Sequence, residues 1–214
     1  MVQTLTSLRH FGLLVAFIAL PSVSLAHRLD EYLQATLVSI APNEVRLHIN
    51  LTPGVAVAQR VLARIDRNRD NLISTNEVTA YGEALKRDLI VQLDQHNVGL
   101  KLAVVNFPML AELRTGWGII QMEFSAVIGP LTPRAHQLNL KNRHLPALSV
   151  YLLNAAQPQS TSVRIIRQKR NKNQSSGEIE FYIEPRKARL KSLSALDFAE
   201  TNLFFAVQNP QTLI

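Results

Sequence analysis

The chain has 214 residues, no cysteine and a formal net charge of +7. Without cysteine it has neither disulfides nor thiolate chemistry, so apolar burial or a bound metal ion must stabilise it. The positive charge suits anionic partners, although the basic clusters at 164–172 and 186–191 are also typical of solvated turns.

The first 26 residues have the layout of a secretory signal peptide. Arg9 precedes the apolar run Phe11–Leu20, Pro21 ends that run, and Ser24 and Ala26 are small residues at the two cleavage positions. A spanning helix needs about 20 apolar residues, so an uncleaved membrane anchor is the weaker alternative. We expect cleavage after Ala26 and a periplasmic or extracellular protein that does not span the membrane. Export also argues against nucleic acid as a partner.

A β-hairpin is predicted at the start of the mature chain. Glu31–Ile40 and Val45–Leu51 flank the turn-forming residues Ala41–Glu44, and apolar residues alternate with polar ones in the second run. The period then changes to that of a helix at 55–65, and a second helix is predicted from Ser74 or Thr75 to about Leu89.

Short β-type runs separated by Gly, Pro, Asn and Ser follow residue 93. They are Leu100–Phe107, Ala111–Leu113, Gly118–Ile128, Gln137–Leu140, Ser149–Leu153, Ser162–Gln168 and Glu178–Ile183. Such spacing is typical of an antiparallel β-sandwich. We therefore predict an α+β fold with a β-rich domain at 27–190, an inserted helix-loop-helix at 55–90, and a C-terminal segment at 191–214 whose sequence follows neither period.

The loop between the predicted helices has the donor pattern of a calcium site. Calcium takes 6–8 oxygen ligands, supplied in a 12-residue loop from positions 1, 3, 5, 7, 9 and 12. Counted from the first aspartate, these positions hold Asp66, Asn68, Asp70, Leu72 through its carbonyl, Ser74 and Glu77.

This loop and its flanking helices resemble the EF-hand family. Asn71 stands where the family pattern has glycine, and asparagine is the non-glycine residue that best tolerates a positive φ. The resemblance implies Ca²⁺ as the cofactor. Arg64, Arg67 and Arg69 crowd the loop, and one loop without a partner is typical of weak, structural extracellular sites with a Kd of about 10⁻⁴–10⁻³ M.

A wider resemblance rests on His27–Ala35, which reads His-Arg-Leu-Asp-Glu-Tyr-Leu-Gln-Ala, and on the run Val150–Ala155. Both are similar to a group of exported bacterial proteins with a β-hairpin followed by one EF-hand loop. Similar domains precede permeases of the nickel/cobalt or hydrogenase/urease-accessory type. The resemblance implies an accessory role beside a protein partner, with a membrane permease as the candidate.

His27 carries the alternative hypothesis. Cleavage after Ala26 would leave its α-amine and imidazole free to chelate Cu(II) or Ni(II), as in a periplasmic copper or nickel carrier. Because no other histidine stands at ligand spacing, a residue with no metal role is the simpler interpretation.

No catalytic residues are predicted. The sequence has no G-x-S-x-G, no H-E-x-x-H, no phosphate-binding glycine loop and no dinucleotide fingerprint. We expect a binding protein rather than an enzyme.

Overall fold

The computed structural model describes residues 30–185. The predicted signal peptide, His27 and the segment 191–214 lie outside the described residues. The chain divides into two units after Glu184, and every described residue except Pro185 belongs to the first unit.

The described chain is mostly β-structure, in two five-stranded sheets with three helices. The first sheet has the order β5-β6-β2-β1-β8, in which β1 and β8 are parallel and the other neighbours are antiparallel. Its strands are β1 (Tyr32–Ala41), β2 (Glu44–Pro53), β5 (Lys101–Asn106), β6 (Ile120–Val127) and β8 (Ser149–Ala155).

The second sheet has the order β4-β3-β7-β10-β9 and is antiparallel throughout. Its strands are β3 (Leu89–Leu93), β4 (His96–Asn97), β7 (Ala135–Asn142), β9 (Val163–Arg170) and β10 (Ser176–Ile183). Residues 171–175 form the polar connection between β9 and β10.

The inward-facing residues of both sheets belong to one hydrophobic core. Period-two alternation in β2 buries Leu47, Ile49 and Leu51, and the second sheet contributes Leu138 and Phe181 to the same cluster. Burial of this kind contributes about 25 cal/mol for each Å² of apolar surface removed from water.

Two helices connect the sheets along the chain. α1 spans Val55–Ile65 and α2 spans Thr75–Asp88, so the chain passes from β2 of one sheet through α1, the loop and α2 into β3 of the other. Gly82 permits close packing of α2, since a Cβ there would lie 2.6 Å from Leu102 Cδ2 on β5.

The predicted hairpin and both predicted helices are confirmed. In the β1–β2 register Ala41 pairs with Glu44, which leaves a two-residue turn. The helical insertion ends at Asp88, two residues before the predicted end at residue 90, because Leu89 already begins β3.

One predicted strand is wrong, and the strand β3 was missed. Ala111–Leu113 is part of the helix α3 (Leu110–Arg114), whose first turn is closed by a hydrogen bond from Met109 N–H to Glu112 Oε2 (3.1 Å). The strand β3 was not predicted because a short apolar run directly after a helix fits both periods.

Among residues 30–185, no helix combines the length and the apolar character that crossing a bilayer requires.

Candidate metal-binding loop

The loop from Asp66 to Glu77 begins at the C-terminal end of α1 and ends in the first turn of α2. Ile73 is half-buried against the hydrophobic core and anchors the loop, whereas Leu72 is 71% exposed. The predicted ligand positions therefore lie on one continuous turn at the surface.

Asn71 has the left-handed backbone that the sequence predicts for this position. Its φ is +61°, and Arg69 has the same value. Asn71 N–H donates a hydrogen bond to Asp66 Oδ2 (3.1 Å), which directs the carboxylate of Asp66 across the loop. Asparagine thus closes the turn without glycine, because its short polar side chain tolerates this conformation.

The other oxygen of Asp66, Oδ1, is buried and has no hydrogen-bond partner among the described residues. A carboxylate can only accept hydrogen bonds, and a buried acceptor without a partner costs about 1–3 kcal/mol or more. This oxygen is suited to a cation, which would satisfy it.

The carboxylates of Asp70 and Glu77 accept hydrogen bonds from the loop itself. Asp70 Oδ1 accepts from Leu72 N–H (2.8 Å) and Oδ2 accepts from the Asn68 amide (2.8 Å). Glu77 Oε2 accepts from Ser74 N–H (3.0 Å) and Oγ–H (2.8 Å), and Oε1 accepts from Arg67 N–H (2.9 Å). The bonds from Ser74 are the main reason that the pKa of Glu77 is lowered.

Ser74 and Glu77 also form a capping box at the start of α2. Ser74 Oγ accepts a hydrogen bond from Glu77 N–H (3.3 Å), and the carboxylate of Glu77 returns to Ser74 N–H. Two orphan donors at the helix N-terminus are satisfied in this way. Glu77 therefore orders the loop and starts the helix, a double role that the ligand pattern alone does not reveal.

The loop also has a side-chain contact with Arg114, a residue distant in the sequence. The guanidinium of Arg114, at the end of α3, donates to Asn71 Oδ1 (2.8 Å). This contact joins residues 43 positions apart, so no local pattern in the sequence predicts it.

No group of three His, Asp or Glu side chains within residues 30–185 is close enough to hold a metal ion. In the loop, Glu77 and Asp70 are turned toward N–H donors, so the three carboxylates do not converge. The donor set nevertheless fits a hard cation chemically, since it consists of oxygens only and includes the unpartnered Asp66 Oδ1. The chelating role of His27 stays a prediction.

Two buried histidines, His144 and His136, were also not predicted from the sequence. His144 is buried and bonds to Asp88 Oδ2 through Nδ1 (2.7 Å) and to the Tyr81 hydroxyl through Nε2 (3.0 Å). Tyr81 in turn bonds to Tyr32 (2.8 Å). Burial lowers the pKa of His144, and the neighbouring Asp88 opposes that shift.

A second buried histidine, His136, lies in β7. Its Nδ1 contacts Asp94 Oδ2 (2.7 Å) and its Nε2 donates to the Thr132 carbonyl (2.8 Å). Burial raises the pKa of Asp94, but hydrogen bonds from Gln137, His136 and Arg134 outweigh it and lower the pKa overall. The alternation in β7 carries the signal that could have placed His136 inside, because it has the same parity as Leu138.

No protein-family model, curated protein or solved structure matches this chain.

Proposed function

We propose that residues 66–77 bind one calcium ion and that the protein is an exported calcium-binding module that the ion stabilises. The observation that carries the proposal is the buried, unpartnered Oδ1 of Asp66, in a loop whose other side-chain donors are all oxygens. We propose further that the two sheets form a β-sandwich with an EF-hand-type insertion, acting as a binding or accessory module beside a protein partner.

The ligands would be the oxygens at the six predicted positions. Asp66, Asp70 and Glu77 supply negative charge, Asn68 supplies an amide oxygen, Leu72 a carbonyl, and Ser74 a position suited to a bridging water. A hard divalent cation would satisfy Asp66 Oδ1 and offset the repulsion between the carboxylates.

Weak binding follows from the hydrogen bonds within the loop. To coordinate the ion, Asp70 and Glu77 must exchange some of their contacts with Leu72, Ser74 and Arg67 for the metal. Arg67 and Arg69 also add positive charge to the same turn. These costs favour a Kd in the range of about 10⁻⁴–10⁻³ M seen in extracellular modules.

A stabilising role is favoured over a sensing role because both helices are part of the core. α1 buries Val61 and Ile65, and α2 buries Tyr81 and Leu85. Opening the helix pair would expose these side chains, and one weak site can shift an equilibrium only by its difference in affinity for the two states.

Calorimetric titration of the chelator-stripped protein with Ca²⁺ tests the proposal. We expect one site in the wild type. Asp66→Asn should weaken it by an order of magnitude or more, because the amide keeps the shape while removing charge. Glu83→Gln is the matched control, since it removes a carboxylate from the exposed side of α2 outside the loop and should leave binding unchanged.

Two results would contradict the proposal. The first is no binding at millimolar Ca²⁺. The second is equal affinity in the wild type and in Asp66→Asn, which would place the ion elsewhere.

A further inference from the structure

A chain of hydrogen bonds runs from the surface into the core through the ring of His144. Asp88 Oδ2 lies 2.7 Å from Nδ1 of the ring, and the Tyr81 hydroxyl lies 3.0 Å from Nε2. The Tyr32 hydroxyl lies 2.8 Å from that of Tyr81 and ends the chain. The side chain of Asp88 is 42% exposed, whereas His144 and both tyrosines are buried. The inner end of the chain is therefore shielded from water.

The partners of the neutral ring determine which of its nitrogens carries the hydrogen. A carboxylate only accepts hydrogen bonds, so Nδ1 of His144 carries the hydrogen and donates it to Asp88. Nε2 is then an acceptor, and Tyr81 O–H donates to it. The oxygen of Tyr81 in turn accepts from Tyr32 O–H. Each hydrogen has an acceptor, so the neutral ring satisfies the whole chain.

Protonation of His144 leaves this chain one acceptor short. Nε2 then also carries a hydrogen, which it donates to the oxygen of Tyr81. The two contacts from Nε2 to Tyr81 and from Tyr81 to Tyr32 must now accommodate three hydrogens, and each contact holds one. Within residues 30–185 neither hydroxyl has another hydrogen-bond partner. A buried donor without an acceptor disfavours this closed arrangement by about ten-fold or more.

His144 also joins separate elements of the fold. Its ring contacts α2 through Tyr81 and Asp88. Its carbonyl oxygen accepts from Gln34 Nε2 in β1 (2.8 Å) and from Tyr151 O–H in β8 (2.9 Å). Water can reach the unpartnered hydroxyl with the least disruption where the chain meets the surface, at the C-terminal end of α2.

The groups that face the ring determine the pH at which it is protonated. Burial lowers the pKa of His144, the hydrogen bond and charge of Asp88 raise it, and the positive charge of Arg64 in α1 lowers it further. The other titratable groups around the ring are hydroxyls whose pKa is raised by burial, and which stay neutral in acid: Tyr32, Tyr81 and Tyr151.

We propose that His144 is an acid-sensitive latch for α2. The neutral ring holds the C-terminal half of α2 against β1 and against the β7–β8 connection at residues 143–148, and the protonated ring releases it. The release is local, because the strand pairings of the two sheets do not involve the ring. It does not require calcium, so it stands apart from the proposed function of the loop.

The tautomer of the ring tests the first step. Long-range proton–nitrogen correlation spectra of the full chain in EDTA, at about pH 7.5, should show His144 with the hydrogen on Nδ1. The signal is assigned by its absence in His144→Gln. A hydrogen on Nε2 at this pH, alone or together with one on Nδ1, would overturn the proposal.

Native-state hydrogen exchange in EDTA tests the release. Between about pH 7.5 and pH 5, and after correction for intrinsic exchange rates, the amides of α2 should lose protection by about ten-fold or more. They should also exchange faster than those of β9 and β10. Low concentrations of urea should hardly change their rates, because local opening exposes little surface.

Two charge variants should move the response in opposite directions. Asp88→Asn keeps an acceptor for Nδ1–H but removes the charge that favours the protonated ring, so release should need a lower pH. Arg64→Gln removes a charge that disfavours it, so release should begin at a higher pH. His144→Gln should abolish the response. His96→Gln is the matched control, because His96 is exposed and lies outside the chain of bonds, and it should behave like the wild type.

Three results of the exchange measurements overturn the proposal. The first is equal protection of α2 at both pH values. The second is exchange of α2 with the same rates and urea dependence as β9 and β10, which would mean that acid unfolds the whole domain. The third is a shift of the response in the same direction by Asp88→Asn and Arg64→Gln.

Discussion

Ser74→Ala separates the structural role of the capping box from calcium binding. The hydroxyl of Ser74 accepts from Glu77 N–H at 3.3 Å and donates to Glu77 Oε2 at 2.8 Å, so alanine removes both contacts. Loss of a serine N-cap costs about 0.5–2 kcal/mol, and the long, exposed bond from Glu77 N–H argues for about 1 kcal/mol here. In a domain of this size, that lowers the melting temperature by about 2–4 °C.

Calcium should still stabilise the Ser74→Ala variant. Position 9 of such a loop often reaches the ion through a water, so the hydroxyl is dispensable for binding. At ten times its Kd, calcium contributes about 1.4 kcal/mol. Thermal melts followed by circular dichroism measure both effects: the melt in EDTA gives the cost of losing the N-cap, and the difference between EDTA and excess calcium gives the stabilisation by calcium. Glu77→Gln should differ, losing the calcium increment and also melting lower in EDTA.

Thr79→Ala is the control, because it deletes a hydroxyl from the exposed interior of α2, where alanine is the better helix former. It should melt no lower than the wild type. A Ser74→Ala variant that melts like the wild type in EDTA, or that is no longer stabilised by calcium, would contradict these two expectations.

Three further predictions concern other parts of the chain. Burial lowers the pKa of His144 in the folded state, so the unfolded chain binds the proton more tightly and stability should be lost as the pH falls below about 6.5, the ordinary pKa of histidine. Urea unfolding between pH 7.5 and pH 5 should show this loss. The free energy of unfolding should fall less steeply with pH in His144→Gln. Equal slopes would contradict it. Gly118→Ala should lower the free energy of unfolding by about 1–3 kcal/mol, because the added Cβ would lie 2.7 Å from the backbone nitrogen of Leu113. Gly99→Ala is the control, since a Cβ there meets open space, and it should melt like the wild type. Equal melting temperatures for the two variants would contradict the clash. N-terminal sequencing of the native protein should begin at His27, and a chain beginning at Met1 would exclude both cleavage and the terminal chelate.

Local patterns predicted the parts of the fold that neighbouring residues determine. The β1–β2 hairpin follows from alternation around a two-residue turn, and α2 begins where Ser74 and Glu77 stand three residues apart. Strand pairing was not predictable in the same way. That β8 lies parallel to β1 depends on how distant segments share the core, and a single sequence does not record it.

The candidate site also has features that the local sequence predicts and features that it does not. The order of oxygen donors and the left-handed Asn71 are local properties, so the sequence contains them. The buried state of Asp66 Oδ1 and the contact from Arg114 depend on packing around the loop. His144 was missed because its partners, Asp88 and Tyr81, are 56 and 63 positions away.

The parallel pairing of β1 with β8 has a consequence for the order of folding. Gln34 in β1 donates to Ser149 in β8, a contact that spans 115 positions of the chain. Until β8 has emerged, one edge of β1 has unpaired N–H and C=O groups, which favour pairing with another chain. Closing so long a loop is slow compared with forming the β1–β2 hairpin. During synthesis from the N-terminus, this edge of β1 therefore stays unpaired until the residues of β8, Ser149–Ala155, are available.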